Sequence, residues 1–309
     1  MKKISRPIVF FGTENLSEIP LETLIEDGFD VVAVITKPDA PKGRRREMSY
    51  PEVKKIAIRH GIRVLQPERL KDIYDFIGSL DRPTGVLASY GKIIPQSIID
   101  LFDPGILNIH PSLLPKYRGP TPIEAAMLNG DRETGVSLMK LVKEMDAGPV
   151  YAKKTLSLRG NETKNELYAA LATEGIKLLV DMLPGILDGS VKPIEQNESE
   201  ATYCEKFDKT RSLLNTKKKT ALECYNQVRA FAGFPKTRLI IGDVDCIIVE
   251  TSVAAQAETE IDVKCRDDKY LIVKKLAPAG RREMSANEFI NGYISRRIKH
   301  KKPDSSPAN

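Results

Sequence analysis

The 309-residue sequence contains no tryptophan, three histidines and four cysteines. The cysteines form no Cys-x-x-Cys pair and have no set of histidines beside them, which argues against a structural zinc site. We interpret them as reduced, mostly buried thiols of a cytosolic protein, because disulfides persist mainly in oxidising compartments. A cytoplasmic location is therefore expected.

Long apolar runs are also missing. No segment approaches the length of about 20 apolar residues that a membrane-spanning helix needs, so no membrane association is expected. The first residues lead into a short apolar segment that ends at Gly12, which is typical of a first β-strand rather than of a signal peptide. Hydrophobic residues make up 41% and charged residues 29%, as in ordinary globular proteins. A chain of this length suits two domains.

The turn Gly12-Thr13 follows the first apolar run, where a phosphate-binding loop could begin. However, neither Gly-x-Gly-x-x-Gly nor Gly-x-x-x-x-Gly-Lys-Ser/Thr occurs there. The sequence thus gives little support to a dinucleotide or Walker-type site, and we interpret this turn as a plain connection between strand and helix.

Positive charge is concentrated in the last third of the chain. Residues 1–204 contain 27 basic and 28 acidic side chains, whereas residues 205–309 contain 21 basic and 14 acidic ones. The first part is thus near −1 and the second near +7. Such a basic part suits a polyanionic partner such as nucleic acid, although it could equally serve solubility.

The first two thirds alternate between short apolar runs and amphipathic stretches. This pattern predicts a mostly parallel sheet covered by helices on both faces, a doubly wound α/β fold. Ligands of such sheets bind beyond the carboxyl ends of the strands. The predicted strands are 8–11, 29–35, 63–65 and 85–88. The predicted helices are one that ends at Glu26, 51–60, 68–77, one from residue 95 and 162–187.

Asn108 and His110 follow an apolar run and are separated by one residue. In extended backbone, residues i and i+2 lie on the same face, so both side chains can act on one atom. An amide donor beside an imidazolium suits an oxyanion that forms when an amine attacks a carbonyl or formyl carbon. The imidazole could instead carry protons, or be purely structural.

Asp146 lies just after the predicted strand Gly135–Met139, in a loop that would return to the same sheet edge. Its carboxylate could pair with His110 and accept a proton from an attacking ammonium group. Asp is also a common turn residue before Gly, and by itself that reading is favoured.

Together the motifs resemble the 10-formyltetrahydrofolate-dependent formyltransferase family. Further matches extend upstream and downstream and cover nearly the whole chain, and those after residue 228 resemble the C-terminal domain of the members that act on tRNA. The matching segments are Phe11-Gly12-Thr13, Ser89-Tyr90-Gly91, Asn108-x-His110, Ser112-Leu113-Leu114-Pro115-x-x-Arg118-Gly119, Glu133-Thr134-Gly135-Val136, Asp146, Arg229-Ala230-Phe231-x-x-Phe234-Pro235 and Met284-Ser285-Ala286.

The resemblance implies a Rossmann-like formyltransferase domain followed by a small OB-like β-barrel, a fold that often binds nucleic acid. We expect the catalytic domain at 1–190, a linker at 191–206, the OB-like tRNA-binding domain at 207–300 and a disordered tail at 301–309. The β-rich stretches 238–250 and 260–276 fit the barrel. The segment Leu213–Lys219 departs from the start usual for this domain, but its three lysines would suit phosphate.

The implied reaction is transfer of the formyl group of 10-formyltetrahydrofolate to the α-amino group of methionyl initiator tRNA. The resemblance assigns the catalytic roles to Asn108, His110 and Asp146, requires no metal, and leaves Arg118 either to hold a phosphate or to order its loop. We expect a monomer. The residues expected at the folate are Tyr90, Gly91, Ser112, Leu113, Leu114 and Pro115, and those expected at the tRNA are Lys42, Arg44, Arg45, Arg46, Lys217, Lys218 and Lys219.

Three alternatives remain open at this stage. A glycinamide ribonucleotide or sugar-nucleotide formyltransferase would share the Asn-x-His and Asp elements. The first usually lacks a C-terminal barrel, and the second carries different appended domains. A hydrolase that deformylates the folate would use the same centre with water as nucleophile. A non-catalytic RNA-binding protein would need the basic surfaces alone.

Overall fold

A computed structural model describes residues 6–42 and 47–295. The chain divides into two compact units. The first comprises the described residues of Met1–Ile123 and Arg132–Lys206, and the second those of Glu124–Asp131 and Phe207–Asn309. The tail expected at 301–309 lies outside the described residues.

The first unit is built on a seven-stranded sheet with the order β5-β2-β1-β6-β7-β8-β9, beside a separate β3–β4 hairpin. The first five strands of this order are parallel, and β8 and β9 are antiparallel additions at one side. The strands are β1 (Ile8–Gly12), β2 (Val31–Ile35), β3 (Ala40–Lys42), β4 (Glu47–Ser49), β5 (Arg63–Leu65), β6 (Thr84–Ala88), β7 (Ile106–His110), β8 (Glu133–Lys140) and β9 (Val150–Ser157).

Every residue of β1 and β7 is buried, as expected for strands covered on both faces. Alternate residues of β1 enter two different apolar clusters. Ile8 and Phe10 belong to one cluster, and Val9 and Phe11 to the other. Because successive side chains of a strand point to opposite faces, the sheet has one apolar layer on each side.

Helices follow the strands in the expected alternation. They are α1 (Glu18–Glu26), α2 (Glu52–Arg59), α3 (Tyr74–Gly78), α4 (Gln96–Ile99), α5 (Pro122–Asn129) and α6 (Lys164–Asp188). The long helix α6 begins at a capping box, in which Thr163 and Glu166 satisfy each other's backbone N–H groups, and ends at Gly189 in the left-handed conformation. The predicted doubly wound α/β fold is confirmed.

The second unit carries an antiparallel sheet with the order β10-β11-β13-β12, in which β14 also pairs with β13. A bulge near Glu250 in the β11–β13 pairing bends the two long strands. The OB-like class expected for this part is confirmed. Its elements are α7 (Ala221–Ala230), β10 (Thr237–Ile241), β11 (Val244–Ala254), β12 (Val263–Lys264), β13 (Tyr270–Pro278), β14 (Met284–Ser285) and α8 (Ala286–Phe289), followed by a π-helical turn (Ile290–Ile294).

The segment expected as a linker, 191–206, packs on the first unit. Ile194 exchanges backbone hydrogen bonds with Val150 at the start of β9. Tyr203 forms a parallel bridge with Arg118 in the loop after β7. We call residues 194–204 the strap, because they hold this loop in place.

None of the helices within the described part of the chain is long and apolar enough to cross a bilayer. Within the same ranges, no cluster of three or more His, Cys, Asp or Glu side chains is arranged to hold a metal ion. All four cysteines are free thiols.

Candidate active site

Strand β7 places Asn108 and His110 on one face of the sheet. The intervening residue, Ile109, lies in the apolar cluster of the other face. In the antiparallel pairing with β8, Asn108 lies opposite Met139 and His110 opposite Ser137. The two polar side chains are therefore neighbours at the end of a central, buried strand.

Asn108 is a buried residue, with 5% of its surface exposed. Its side chain has no hydrogen-bond partner among the described residues. Neither amide atom is cut off from solvent, so both can bond to water or to a substrate. A substrate oxygen is a partner that fits the amide donor.

His110 is oriented by the backbone. Its Nε2 atom lies 3.1 Å from the Tyr117 carbonyl oxygen, which can only accept, so Nε2 carries a hydrogen and donates it. The other ring nitrogen, Nδ1, lies 3.7 Å from Asp146 Oδ2. This separation is longer than a hydrogen bond, which leaves Nδ1 free to engage a substrate.

Asp146 lies in the loop between β8 and β9 and has a left-handed backbone with a φ of 49°. Its Oδ2 atom accepts a hydrogen bond of 2.8 Å from the Gly119 N–H. The side chain is 16% exposed, so the carboxylate stays reachable from one side. The same oxygen faces both the Gly119 amide and the His110 ring.

Gly119 must be glycine for two reasons. Its φ of 122° is a conformation that other residues rarely adopt. A Cβ atom at this position would also lie 2.4 Å from the Cys204 carbonyl oxygen of the strap. This close approach lets the strap press the loop of Gly119 against Asp146.

The loop expected at the folate, residues 112–116, is held in place by hydrogen bonds of two serine side chains. Ser112 Oγ donates to the Lys116 carbonyl, and Ser137 Oγ accepts from the Leu114 N–H while donating to the Ser112 carbonyl. Ser112 and Leu114 are fully buried, so the partly exposed members are Leu113 and Pro115. Any folate contact from this loop falls to those two side chains.

Tyr90 and Gly91 follow β6 at the carboxyl edge of the sheet. Tyr90 packs edge-to-face against Phe11, and burial raises the pKa of its phenol to about 12. Its hydroxyl has no partner among the described residues. Gly91 is exposed, and a Cβ atom there would meet the Lys37 amine at 2.5 Å.

The residues expected at tRNA differ in their surroundings. Arg44, Arg45 and Arg46 lie outside the described residues, and only the backbone of Lys42 is described, at the end of β3. In the second unit Lys217 and Lys218 are exposed. Lys219 is half-buried; its amine donates to the Gln227 side chain, and burial lowers its pKa.

Sequence reasoning missed Gln196 and Glu198, which lie in the strap. Both contact Arg118, whose side chain is fully buried. Arg118 thus orders its loop through contacts within the protein. The polar composition of 196–200 is typical of a linker, and the burial of Arg118 is the signal that points to partners in this segment.

Fold and site define a class. A doubly wound sheet presents an unpaired amide, an imidazole and a carboxylate at one edge, and this combination suits an enzyme that transfers a group through an oxyanion. Residues 6–183 match the model of the formyl transferase family, and residues 206–294 match that of the formyl transferase C-terminal domain. The chain belongs to the formyl transferase family, as its motifs predicted.

Relatives match over nearly the full length. A methionyl-tRNA formyltransferase of Dictyoglomus turgidum is 37% identical, covering 93% of this chain and 96% of its own. One of Bacillus velezensis is 36% identical, covering 92% and 94%. Among solved structures, an N-formyltransferase of Helicobacter canadensis in complex with folinic acid and dTDP-3-aminofucose has a TM-score of 0.66 at 22% identity, covering 86% of this chain and 98% of its own. That likeness shows the fold.

Proposed function

We propose that this protein transfers the formyl group of 10-formyltetrahydrofolate to the α-amino group of methionyl initiator tRNA. The observation that carries the proposal is that the Asn108 side chain makes no hydrogen bond with any described residue and stands beside His110. The names of the full-length relatives support the substrates. The motif match supports the donor.

In the proposed reaction, the neutral amine nitrogen attacks the formyl carbon and the carbonyl π electrons move to the oxygen. Free α-amino groups titrate near ~7.7–8.0, so the amine needs only partial deprotonation at cytosolic pH. Asp146 takes the proton that the nitrogen loses as the new C–N bond forms. The oxyanion receives hydrogen bonds from Asn108 Nδ2 and His110 Nδ1.

His110 serves in this step as an imidazolium. Because Nε2 donates to the Tyr117 carbonyl, a neutral ring would present a lone pair at Nδ1 to both the Asp146 carboxylate and the oxyanion. A second hydrogen at Nδ1 makes both contacts favourable. Collapse of the tetrahedral intermediate then breaks the bond between the formyl carbon and N10 of the folate, and N10 leaves with the proton that Asp146 took from the amine.

The charge distribution favours a nucleic-acid acceptor over a small amine. Residues 205–309 carry the +7 balance, and Lys217 and Lys218 there are exposed. In the first unit, the basic run Lys42–Arg46 stands in the sequence between β3 and β4. Phosphate contacts by such residues would supply affinity without reading sequence.

The base of the hairpin is anchored by three side chains. Lys54 Nζ lies 2.5 Å from Asp39 Oδ2 and 2.8 Å from Gln66 Oε1. Gln66 Nε2 in turn donates to Asp39 Oδ1 at 2.8 Å and to the Lys37 carbonyl at 2.7 Å. The Lys54 hydrogen bond lowers the pKa of Asp39, so this carboxylate stays charged. We propose that this anchor aims the hairpin at the acceptor end of the tRNA.

The remaining features of the proposal are a cytoplasmic location and a monomeric state. The four free, buried thiols fit a reducing compartment. Size-exclusion chromatography with light scattering tests the monomer.

The deciding experiment offers labelled 10-formyltetrahydrofolate with one of three acceptors, namely methionyl initiator tRNA, uncharged tRNA and glycinamide ribonucleotide. Label on the charged tRNA alone supports the proposal. Label on glycinamide ribonucleotide instead would assign the protein to small-amine acceptors. Free formate released without an acceptor would identify a hydrolase, and no turnover of any kind would leave a binding protein.

A further inference from the structure

Asp146 needs an external restraint to do its work. Its φ of 49° lies in the left-handed region, where a residue with a Cβ atom is strained unless its surroundings hold it. The carboxylate accepts one hydrogen bond from Gly119, which fixes the side chain but not the backbone. A second contact must therefore hold the peptide.

That contact comes from Gln196 of the strap, fifty residues further along the chain. Its Nε2 group donates to the Asp146 carbonyl at 2.8 Å and to the Gly148 carbonyl at 2.7 Å. Its Oε1 atom accepts from Arg118 Nε at 3.1 Å. One side-chain amide thus joins the loop after β8 to the loop after β7.

Arg118 completes a closed ring of contacts. Its guanidinium is held by Glu198 through two hydrogen bonds of 2.7 and 2.9 Å, and its side chain has no solvent exposure. The next residue, Gly119, donates to the Asp146 carboxylate. Asp146 is therefore held by two hydrogen bonds, one from Gln196 to its backbone carbonyl and one from Gly119 to its carboxylate. Arg118 links the two donors.

We infer that Gln196 is a positioning residue for the reaction, which sets the backbone of Asp146 so that its carboxylate faces His110. This inference rests on the proposed function, in which Asp146 accepts the proton of the attacking amine. Only an amide of this length meets both demands of the site, since Arg118 needs an acceptor and the carbonyls of Asp146 and Gly148 need a donor.

The test replaces Gln196 by two side chains of similar length. Gln196→Met removes all three hydrogen bonds, and Gln196→Glu keeps the acceptor for Arg118 but turns a carboxylate oxygen toward two carbonyl oxygens. We expect kcat for formyl transfer to fall by about 10- to 100-fold in both, because small misplacements of a reacting group are costly. KM for each substrate should stay within about threefold of wild type.

The matched control is Asn197→Ala. Asn197 is the next residue of the strap and is exposed, and among the described residues its side chain accepts hydrogen bonds only from Ser199. It should keep wild-type kcat. Equal losses of kcat in Asn197→Ala and Gln196→Met would show that any disturbance of the strap has the same effect, and would overturn the inference.

A double variant separates positioning from folding. If Gln196 acts through Asp146, then Gln196→Met should cause no further loss of kcat in an Asp146→Ala background. An equal fractional loss in both backgrounds would overturn the inference. Wild-type protein that formylates no acceptor would refute the proposed function instead.

A measurement that does not depend on activity distinguishes failure of the inference about Gln196 from failure of the proposed function. Gln196→Met should shift the ring signals of His110 in histidine NMR spectra, assigned with His110→Ala, because the facing carboxylate moves. The signals of His60 and His300 should stay in place. An unchanged His110 signal would overturn the inference whether or not the wild type is active.

Discussion

Replacing Asn108 by alanine should separate activity from stability. The Asn108 side chain is buried and makes no hydrogen bond with any described residue. Its removal breaks no hydrogen bond within the described part of the protein and leaves no protein group without a partner. We therefore expect the free energy of unfolding to change by less than about 1 kcal/mol.

The effect on catalysis should be much larger. Loss of one oxyanion donor typically lowers kcat by about 10²–10³, or about 2.7–4 kcal/mol of transition-state stabilisation. The assay is single-turnover transfer of labelled formyl to methionyl initiator tRNA with saturating enzyme. Urea unfolding followed by circular dichroism gives the stability.

Asn226→Ala is the matched control. Asn226 is equally buried, at 4% exposed, but its Oδ1 atom accepts from Arg229 Nη2 at 2.7 Å. Its replacement removes an acceptor from the partly buried Arg229 guanidinium, so it should cost about 1–3 kcal/mol of stability and leave kcat unchanged. Near-wild-type turnover in Asn108→Ala, or a stability loss as large as that of the control, would refute the reasoning.

Three further predictions follow from the contacts. Lys54→Met should release the β3–β4 hairpin, because it removes the contacts to Asp39 and Gln66. In steady-state kinetics, kcat/KM for charged tRNA should fall by about tenfold while KM for the folate stays unchanged. Equal effects on both substrates would contradict this prediction. The hydrogen bond from the Thr220 N–H lowers the pKa of Glu223 in the folded protein. The stability that this carboxylate adds is therefore fully present above its pKa in the unfolded chain, about 4.3, and is lost as pH falls through its lower pKa in the folded protein. The difference in unfolding midpoint between wild type and Glu223→Gln should therefore shrink between about pH 5 and 3, and its persistence at pH 3 would contradict the assignment. Burial raises the pKa of all four thiols, which are Cys204, Cys224, Cys246 and Cys265. A thiol reagent should therefore label the native protein slowly and should label four groups once the protein is unfolded. Rapid labelling of the native protein would argue against this packing.

Much of the first unit could be predicted from local pattern. Strand β5 has the predicted bounds, and α6 begins and ends within two residues of expectation because its capping box and terminal glycine are local signals. Strand β9 was not predicted. It is an edge strand with exposed lysines at 153 and 154, so it lacks the apolar run that marked the central strands.

The site also has one part that local sequence signals predict and one part that they do not. The spacing of Asn108 and His110 predicts a shared face, since strand geometry has a period of two. Nothing local predicts the strap. Gln196 meets Asp146 across fifty residues and Arg118 across seventy-eight, and its sequence neighbourhood, rich in Asn, Ser and Glu, has the composition of an exposed connection.

A count of basic residues in the sequence also overstates how many of them can contact nucleic acid. Arg118 could hold a phosphate by composition, yet its guanidinium is buried against Glu198 and Gln196. Lys219 belongs to a run of three lysines, but its amine is bonded to Gln227 inside the second unit. Each basic side chain with a fixed internal partner supports the fold, and its charge is not free to displace counterions.

This distinction can be measured by salt titration of tRNA binding. Removing one phosphate contact lowers the slope of log K against log salt by about 0.7–0.9. Lys218→Met should lower the slope by about this amount and leave the unfolding midpoint unchanged, because Lys218 is exposed. Lys219→Met should leave the slope unchanged and lower the unfolding midpoint, since it deprives the Gln227 Oε1 atom of the Lys219 donor. Equal slopes in both variants would mean that the run binds phosphate as a whole, and that the inward contact of Lys219 gives way when tRNA arrives.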